Sequence, residues 1–139
     1  MVPTSEDLRL GSVSNNQDLL VQGFLKATSH INGPIIFDGH LIIDGKDGLI
    51  TIPTWVFTAL GLSSIVVLQA PATQIAYQRA SDTRVRPVRT IAEISDHQTM
   101  TISAATNLAA ELSIPMHIIG SGDTFVIEAL IRRDPTPAN

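Results

Sequence analysis

Ser64-Ile65-Val66-Val67-Leu68-Gln69-Ala70-Pro71 decides the fold. Ile65 to Leu68 is a short, β-favouring apolar run with no polar alternation, the pattern of a strand covered on both faces. Pro71 then supplies a fixed φ and lacks an N–H, which suits the opening of a helix that runs to about Ser81. A buried strand feeding directly into a helix is the repeating unit of an α/β domain. Downstream, Pro115-Met116-His117-Ile118-Ile119-Gly120 repeats the theme, and Ser121-Gly122-Asp123 leads into a last helix from about Thr124 to Arg133. Between them, Thr90-Ile91-Ala92-Glu93 matches a capping box. It opens the longest helix, to about Leu112, with Ile91, Ile94, Ile102, Ala105, Leu108, Ala109 and Leu112 on one stripe.

Upstream, the run Pro34-Ile35-Ile36-Phe37 predicts another doubly covered strand, ending in Asp38-Gly39-His40. Leu41 to Ile43 and Leu49 to Ile52 flank Asp44-Gly45-Lys46-Asp47-Gly48 and read as a hairpin. Pro53 fits the start of a short helix through Leu60. Ser14-Asn15-Asn16 offers N-cap residues for a first helix to about His30, with Leu19, Leu20, Phe24 and Ala27 near one face and Asn32-Gly33-Pro34 as its stop. Residues 1–13 read as a loose arm and residues 134–139 as a frayed tail. The order predicts one α/β domain over residues 1–139, a three-layer α/β/α sandwich with a mainly parallel sheet. In such sheets ligands bind outside the carboxyl ends of the strands, near which Asp38, Gln69 and Gly120 fall.

Composition narrows the function. The chain has 139 residues, a net charge of −4 and no cysteine. The charge argues against general nucleic-acid or anionic-membrane binding. The absence of thiols removes disulfides, thiolate metal sites and cysteine nucleophiles, and fits a reducing, cytoplasmic location. No apolar run approaches the about 20 residues of a membrane span. No Gly-x-Ser-x-Gly or His-Glu-x-x-His occurs, and His30, His40, His97 and His117 lack metal-ligand spacing, so no protein-only metal site is expected.

Only nine residues are basic, yet Arg79, Arg84, Arg86 and Arg89 fall in one short stretch. Guanidinium groups bind phosphate through paired, charge-assisted hydrogen bonds. Several on one loop can close over a polyphosphate, with Asp82 ordering them when no ligand is present; the alternative is a solvated loop whose arginines pair with carboxylates. Asp38 and His40 are the second candidates. A carboxylate after a buried strand can orient a phosphoryl acceptor or metal-bound water, or simply cap a turn. His97-Gln98 either reaches the Arg-rich loop or faces solvent, and Trp55 reads as a packing residue.

From Gln17 to Gly120 the chain resembles the small P-loop nucleotide kinases, especially the archaeal-type adenylate kinases and their AAA-like ATP-binding relatives. The resemblance is carried in order. Gln17 and Gly23 lie on the first helix, followed by Asp38-Gly39-His40 and the Gly48 to Pro53 excursion. Next come the strand Ile65 to Leu68 and a Pro71-started helix with Ile75 and Arg79, then Asp82, Arg84 and Arg86, the Glu93-bearing helix with His97-Gln98, and Ile114-Pro115. The resemblance implies binding of ATP with Mg²⁺ and phosphoryl transfer to a nucleotide-like acceptor. It places Arg79, Arg84 and Arg86 on the phosphates, the last two within a lid-like loop over residues 82–89, and the clustering of charge adds Arg89 to the phosphate-binding group. Asp38 and His40 line the acceptor site, and Asp38, Arg84 and Arg86 act in the transfer. Such kinases begin with a strand and G-x-x-x-x-G-K-[ST], whose amides cradle the phosphates. Neither Lys26 nor Lys46 ends a loop of that kind. A kinase-like domain lacking that strand and loop is therefore expected to be weakly active or inactive alone. The alternative is a non-catalytic interaction module whose open sheet is completed by a second copy or another chain.

Overall fold

The computed structural model describes residues 13–45, 48–84 and 88–133. The expected arm (apart from Val13), the turn pair Lys46-Asp47, Val85-Arg86-Pro87 and the tail lie outside them. Helix α1 is Val13–Thr28, followed by the strands β1, Ile42–Gly45, and β2, Gly48–Thr51. Helix α2, Thr54–Leu60, strand β3, Ile65–Gln69, and helix α3, Ala72–Ser81, come next. Helix α4 is Ile91–Leu112, strand β4 Met116–Gly120 and helix α5 Phe125–Arg133.

The β-branched run forms the expected strand, β3, but not one covered on both faces, since Leu68 is 51% exposed. Ile65 and Val67 of β3 are buried, and β3 pairs with β4 in parallel, Ile65 opposite Met116 and Gln69 opposite Gly120. The hairpin also forms, with Ile42 opposite Thr51 and Gly45 opposite Gly48. Among the described residues these are two separate sheets of two strands each. The mixed α/β class therefore holds, whereas a broad parallel sheet is not present among the described strands.

The difference arises at Pro34 to His40. This run was expected to be a buried strand, yet it carries no strand hydrogen bonding, and Ile35 and Ile36 are exposed, Ile36 at 65%. A strand forms only where a neighbour accepts and donates its backbone hydrogen bonds. No described strand takes that place. The segment is held instead by Phe37, whose ring meets Phe24 of α1 edge-on at 5.5 Å between centroids.

Helix α1 starts ahead of Ser14-Asn15-Asn16, so these residues lie in its first turn rather than capping it. Its inward face also differs from the predicted one. Gln17 and Val21 are buried and Phe24 half-buried, while Leu19 and Leu20 are exposed. The spacing 17, 21, 24 is itself helical, and the polar Gln17 had disguised it. Helix α2 follows Pro53, as predicted, and ends at Gly61, whose φ of 68° belongs to the left-handed region that suits glycine; its N–H donates to the Thr58 carbonyl.

Helix α4 organises the core. It packs on α3, β1, β3 and β4, while α1 packs on α2. Val21, Ile52, Val56, Phe57, Leu60, Ile65, Val67, Ala105, Leu108 and Ala109 form one cluster. Ala105 is completely buried, so α4 approaches the sheet closely at that point. Thr90 caps α4 as read from sequence: its hydroxyl accepts from the Glu93 N–H at 3.1 Å, and the Glu93 carboxylate accepts from the Thr90 N–H. At the other end Ser113 adopts φ 55°, and its N–H donates to the Ala109 and Ala110 carbonyls.

Candidate functional site

Three chain segments converge on Asp44. Strand β1 places its carboxylate on the side of the hairpin that meets α3 and α4, where only 12% of the side chain is exposed. The last turn of α3 delivers Arg79, whose Nη2 donates to Asp44 Oδ2 at 3.3 Å. The approach to α4 delivers Arg89. Its Nε and Nη2 both donate to Asp44 Oδ1, at 3.2 and 2.7 Å. Arg89 directly precedes the capping residue Thr90, so the capping box fixes the direction from which this guanidinium arrives. The outer face of Arg89 lies 3.8 Å from a Glu93 oxygen.

At the centre two guanidiniums share one partly buried carboxylate. Burial pushes the Asp44 carboxyl upward, but the hydrogen bond and charge of Arg89, joined by those of Arg79, outweigh it and hold Asp44 below the ordinary aspartate range. In return, the hydrogen bond that Arg89 donates to Asp44 raises its own pKa above the ordinary arginine value, against a smaller opposing effect of burial. Glu93 faces Arg89 from its other side, so two carboxylates stand against the two guanidiniums.

The remaining predicted residues are placed differently. Arg84 folds back on its own loop: its Nε lies 3.3 Å from Asp82 Oδ2, and its backbone N–H donates to Asp82 Oδ1 at 3.0 Å. Asp82 therefore orders Arg84 but is not the acid that gathers Arg79 and Arg89. The guanidinium of Arg84 is mostly exposed. Arg86 lies outside the described residues. Asp38 and His40 are exposed on the segment after Phe37 and form no ion pair with the described arginines. The structure brings together Arg79 and Arg89 of the predicted set, and adds Asp44.

Gln98 has a definite role. Its side-chain amide closes on the backbone of Ala70, accepting from the Ala70 N–H at 3.2 Å and donating to the Ala70 carbonyl at 2.8 Å. Ala70 is the first residue beyond β3, so this clasp ties the carboxyl end of the strand to α4. The Gln69 carbonyl accepts from the Ser121 N–H at 2.9 Å, extending the β3–β4 pairing to the same edge. Both groups of α4 that matter, the cap beside Arg89 and Gln98, thus anchor neighbouring parts of the chain. Among the described residues no cluster of three or more His, Asp or Glu side chains could hold a metal ion, and no helix is long and apolar enough to cross a membrane.

Asp44 was hidden in the sequence by its context. Asp44-Gly45 reads as turn chemistry, in the connection between two strands. The available signal was a charge count: a stretch holding four arginines needs carboxylates from elsewhere if it packs. Ile42-Ile43-Asp44 places an acid directly after an apolar run, as Ile36-Phe37-Asp38 also does.

Residues 1–95 match a family model described as "AAA domain". An adenylate kinase of Methanococcus aeolicus is 35% identical over 74 residues, which covers 52% of this chain and 38% of that relative. The chain thus spans well under half the length of that relative. The family match contains Asp38, His40, Asp44 and all four arginines of the cluster.

Proposed function

The chain belongs to the AAA-domain family, and on that footing we propose that it binds a nucleotide polyphosphate and takes part in phosphoryl transfer of the nucleotide-kinase type. The observation that carries this reading is the convergence of Arg79, from the last turn of α3, and Arg89, from the segment leading into α4, onto a single acidic point. Guanidiniums held at one spot offer paired N–H donors of the kind that receive phosphoryl oxygens. The donor set fits ATP phosphates. Mg²⁺ would enter on those phosphates, since the described residues present no three-ligand cage. When bound, it neutralises charge on the phosphate oxygens. Arg79 and Arg89 would bind and orient the phosphates. Arg84 and Arg86 would approach from the lid, and Asp38 and His40 would face the acceptor. The parallel β3–β4 pair would be the seed of a three-layer sheet, completed by strands of the whole protein or of a partner. The similarity to an adenylate kinase supports this assignment without fixing the acceptor.

A coupled assay with ATP, Mg²⁺ and nucleoside monophosphates tests turnover, and calorimetry with ATP tests binding. Micromolar to millimolar ATP binding that weakens at least tenfold in Arg79→Ala and Arg89→Ala is the expected result. Turnover by this chain would extend the reading to catalysis. Unaltered ATP binding in both arginine variants refutes the assignment of the site.

A further inference from the structure

We infer that Asp44 is a specificity-determining residue, an internal competitor that occupies Arg79 and Arg89 and so admits only anions of high charge. The inference rests on the phosphate-binding reading of those arginines. Asp44 presents the geometry of two phosphoryl oxygens: Oδ1 accepts from both Nε and Nη2 of Arg89, and Oδ2 accepts from Nη2 of Arg79. A phosphate gripped by the Nε–Nη2 fork of Arg89 and by Nη2 of Arg79 would need these same N–H groups. Such an anion must displace a carboxylate that is already present, partly desolvated and covalently fixed to β1.

Charge decides which anions succeed. The carboxylate supplies one negative charge to two cations. A ligand of similar charge gains little by exchanging with it, because it must also lose its own freedom on binding. A polyphosphate brings several charges and several oxygens, and can satisfy both forks at once. Asp44 thereby widens the gap between polyphosphate and orthophosphate, a discrimination achieved by penalising the weaker ligand. Glu93 is not a second competitor of equal standing. Its nearer oxygen is 3.8 Å from Arg89, and the other is engaged with Thr90 in the cap.

Calorimetry of the chain with tripolyphosphate and with orthophosphate, at one fixed salt concentration, tests this. In Asp44→Asn, which keeps the side-chain shape, orthophosphate should bind about tenfold more tightly than in the unaltered chain, as expected when charge-assisted competition is removed. The ratio of tripolyphosphate to orthophosphate affinity should fall. A second measurement guards against poor folding of the variant. In the unaltered chain, carbon-13 spectroscopy should show the Asp44 carboxyl titrating at higher pH when tripolyphosphate is saturating, because it has lost its arginines. If tripolyphosphate binds and Arg89→Ala weakens it, but Asp44→Asn gains nothing and the carboxyl titration stays put, the competitor role is overturned while the phosphate site stands. If tripolyphosphate does not bind the unaltered chain or Asp44→Asn, the phosphate reading falls and the competitor role falls with it.

Discussion

Replacing Gln98 by alanine should destabilise the chain by about 1–2 kcal/mol. The amide makes two hydrogen bonds to the Ala70 backbone, 3.2 and 2.8 Å long, in a half-buried setting. Each such bond contributes about 1 kcal/mol net. Partial exposure lets water recover some of this loss, and alanine's better helix propensity returns a few tenths of a kcal/mol. The net loss of ~1.5 kcal/mol corresponds to a fall in Tm of roughly 5 °C for a chain of this size. Urea unfolding followed by circular dichroism should show the midpoint moving down with an unchanged slope. Gln98→Glu sharpens the test. At neutral pH the new carboxylate still accepts from the Ala70 N–H, but it opposes the Ala70 carbonyl where the amide donated. That variant should lose at least as much as alanine at pH 7. Burial and the facing carbonyl raise the folded-state pKa of the new carboxyl above its unfolded value, so the protonated form is the better tolerated one. The deficit should therefore shrink as pH falls through that raised value, when the carboxyl can donate again. Wild-type stability of both variants at neutral pH would refute the idea that the clasp holds β3 to α4.

Three further outcomes follow from the same contacts. Phe57→Ala empties a buried position between α2 and the core cluster and should cost about 3–5 kcal/mol, enough to lower Tm by ten degrees or more in thermal unfolding. Thr90→Ala removes the hydroxyl that accepts from Glu93 and should cost about 1 kcal/mol, with Thr90→Ser restoring most of it in the same denaturation experiment. The depressed Asp44 titration gives a signed pH effect: its contribution to stability is complete above the unfolded aspartate value of about 3.9 and is lost as pH falls through the lower folded value. Asp44→Asn should consequently flatten the acid side of the Tm–pH curve, and an unchanged acid slope would show that Asp44 is not the titrating group.

Local signals were legible wherever one segment carries its own instructions. The capping box at Thr90, the stripe of α4 apart from the exposed Ile91, the β3 run and the helix after Pro71 appear at the predicted positions. These features depend on contacts within a few residues. Pro34 to His40 failed as a strand because strand formation is settled by a neighbour, and apolar composition cannot say whether that neighbour exists. Helix α1 was rotated in the prediction because a buried Gln17 breaks the apolar pattern that marks an inward face. At the site, guanidinium chemistry was visible in the spacing of the arginines. Their partner was not, because Asp44 is separated from Arg89 by 45 positions in the chain, and no local rule pairs residues at that range.

That separation also explains why the carboxylate matters to more than charge. Asp44 belongs to a two-stranded hairpin, an element with little stability of its own. The hairpin meets α4 through apolar contacts around Ile42 and Ile52, and meets Arg79 and Arg89 through Asp44. An anion that draws the arginines away would leave only the apolar attachment. Ligand binding and hairpin anchoring would then draw on the same two guanidiniums, so each must weaken the other by the same factor. Hydrogen exchange of the β1 and β2 amides should accelerate when tripolyphosphate saturates the site, and should already be fast, and insensitive to the ligand, in Asp44→Asn. Exchange that slows on binding would mean that the hairpin closes onto the anion instead of releasing it.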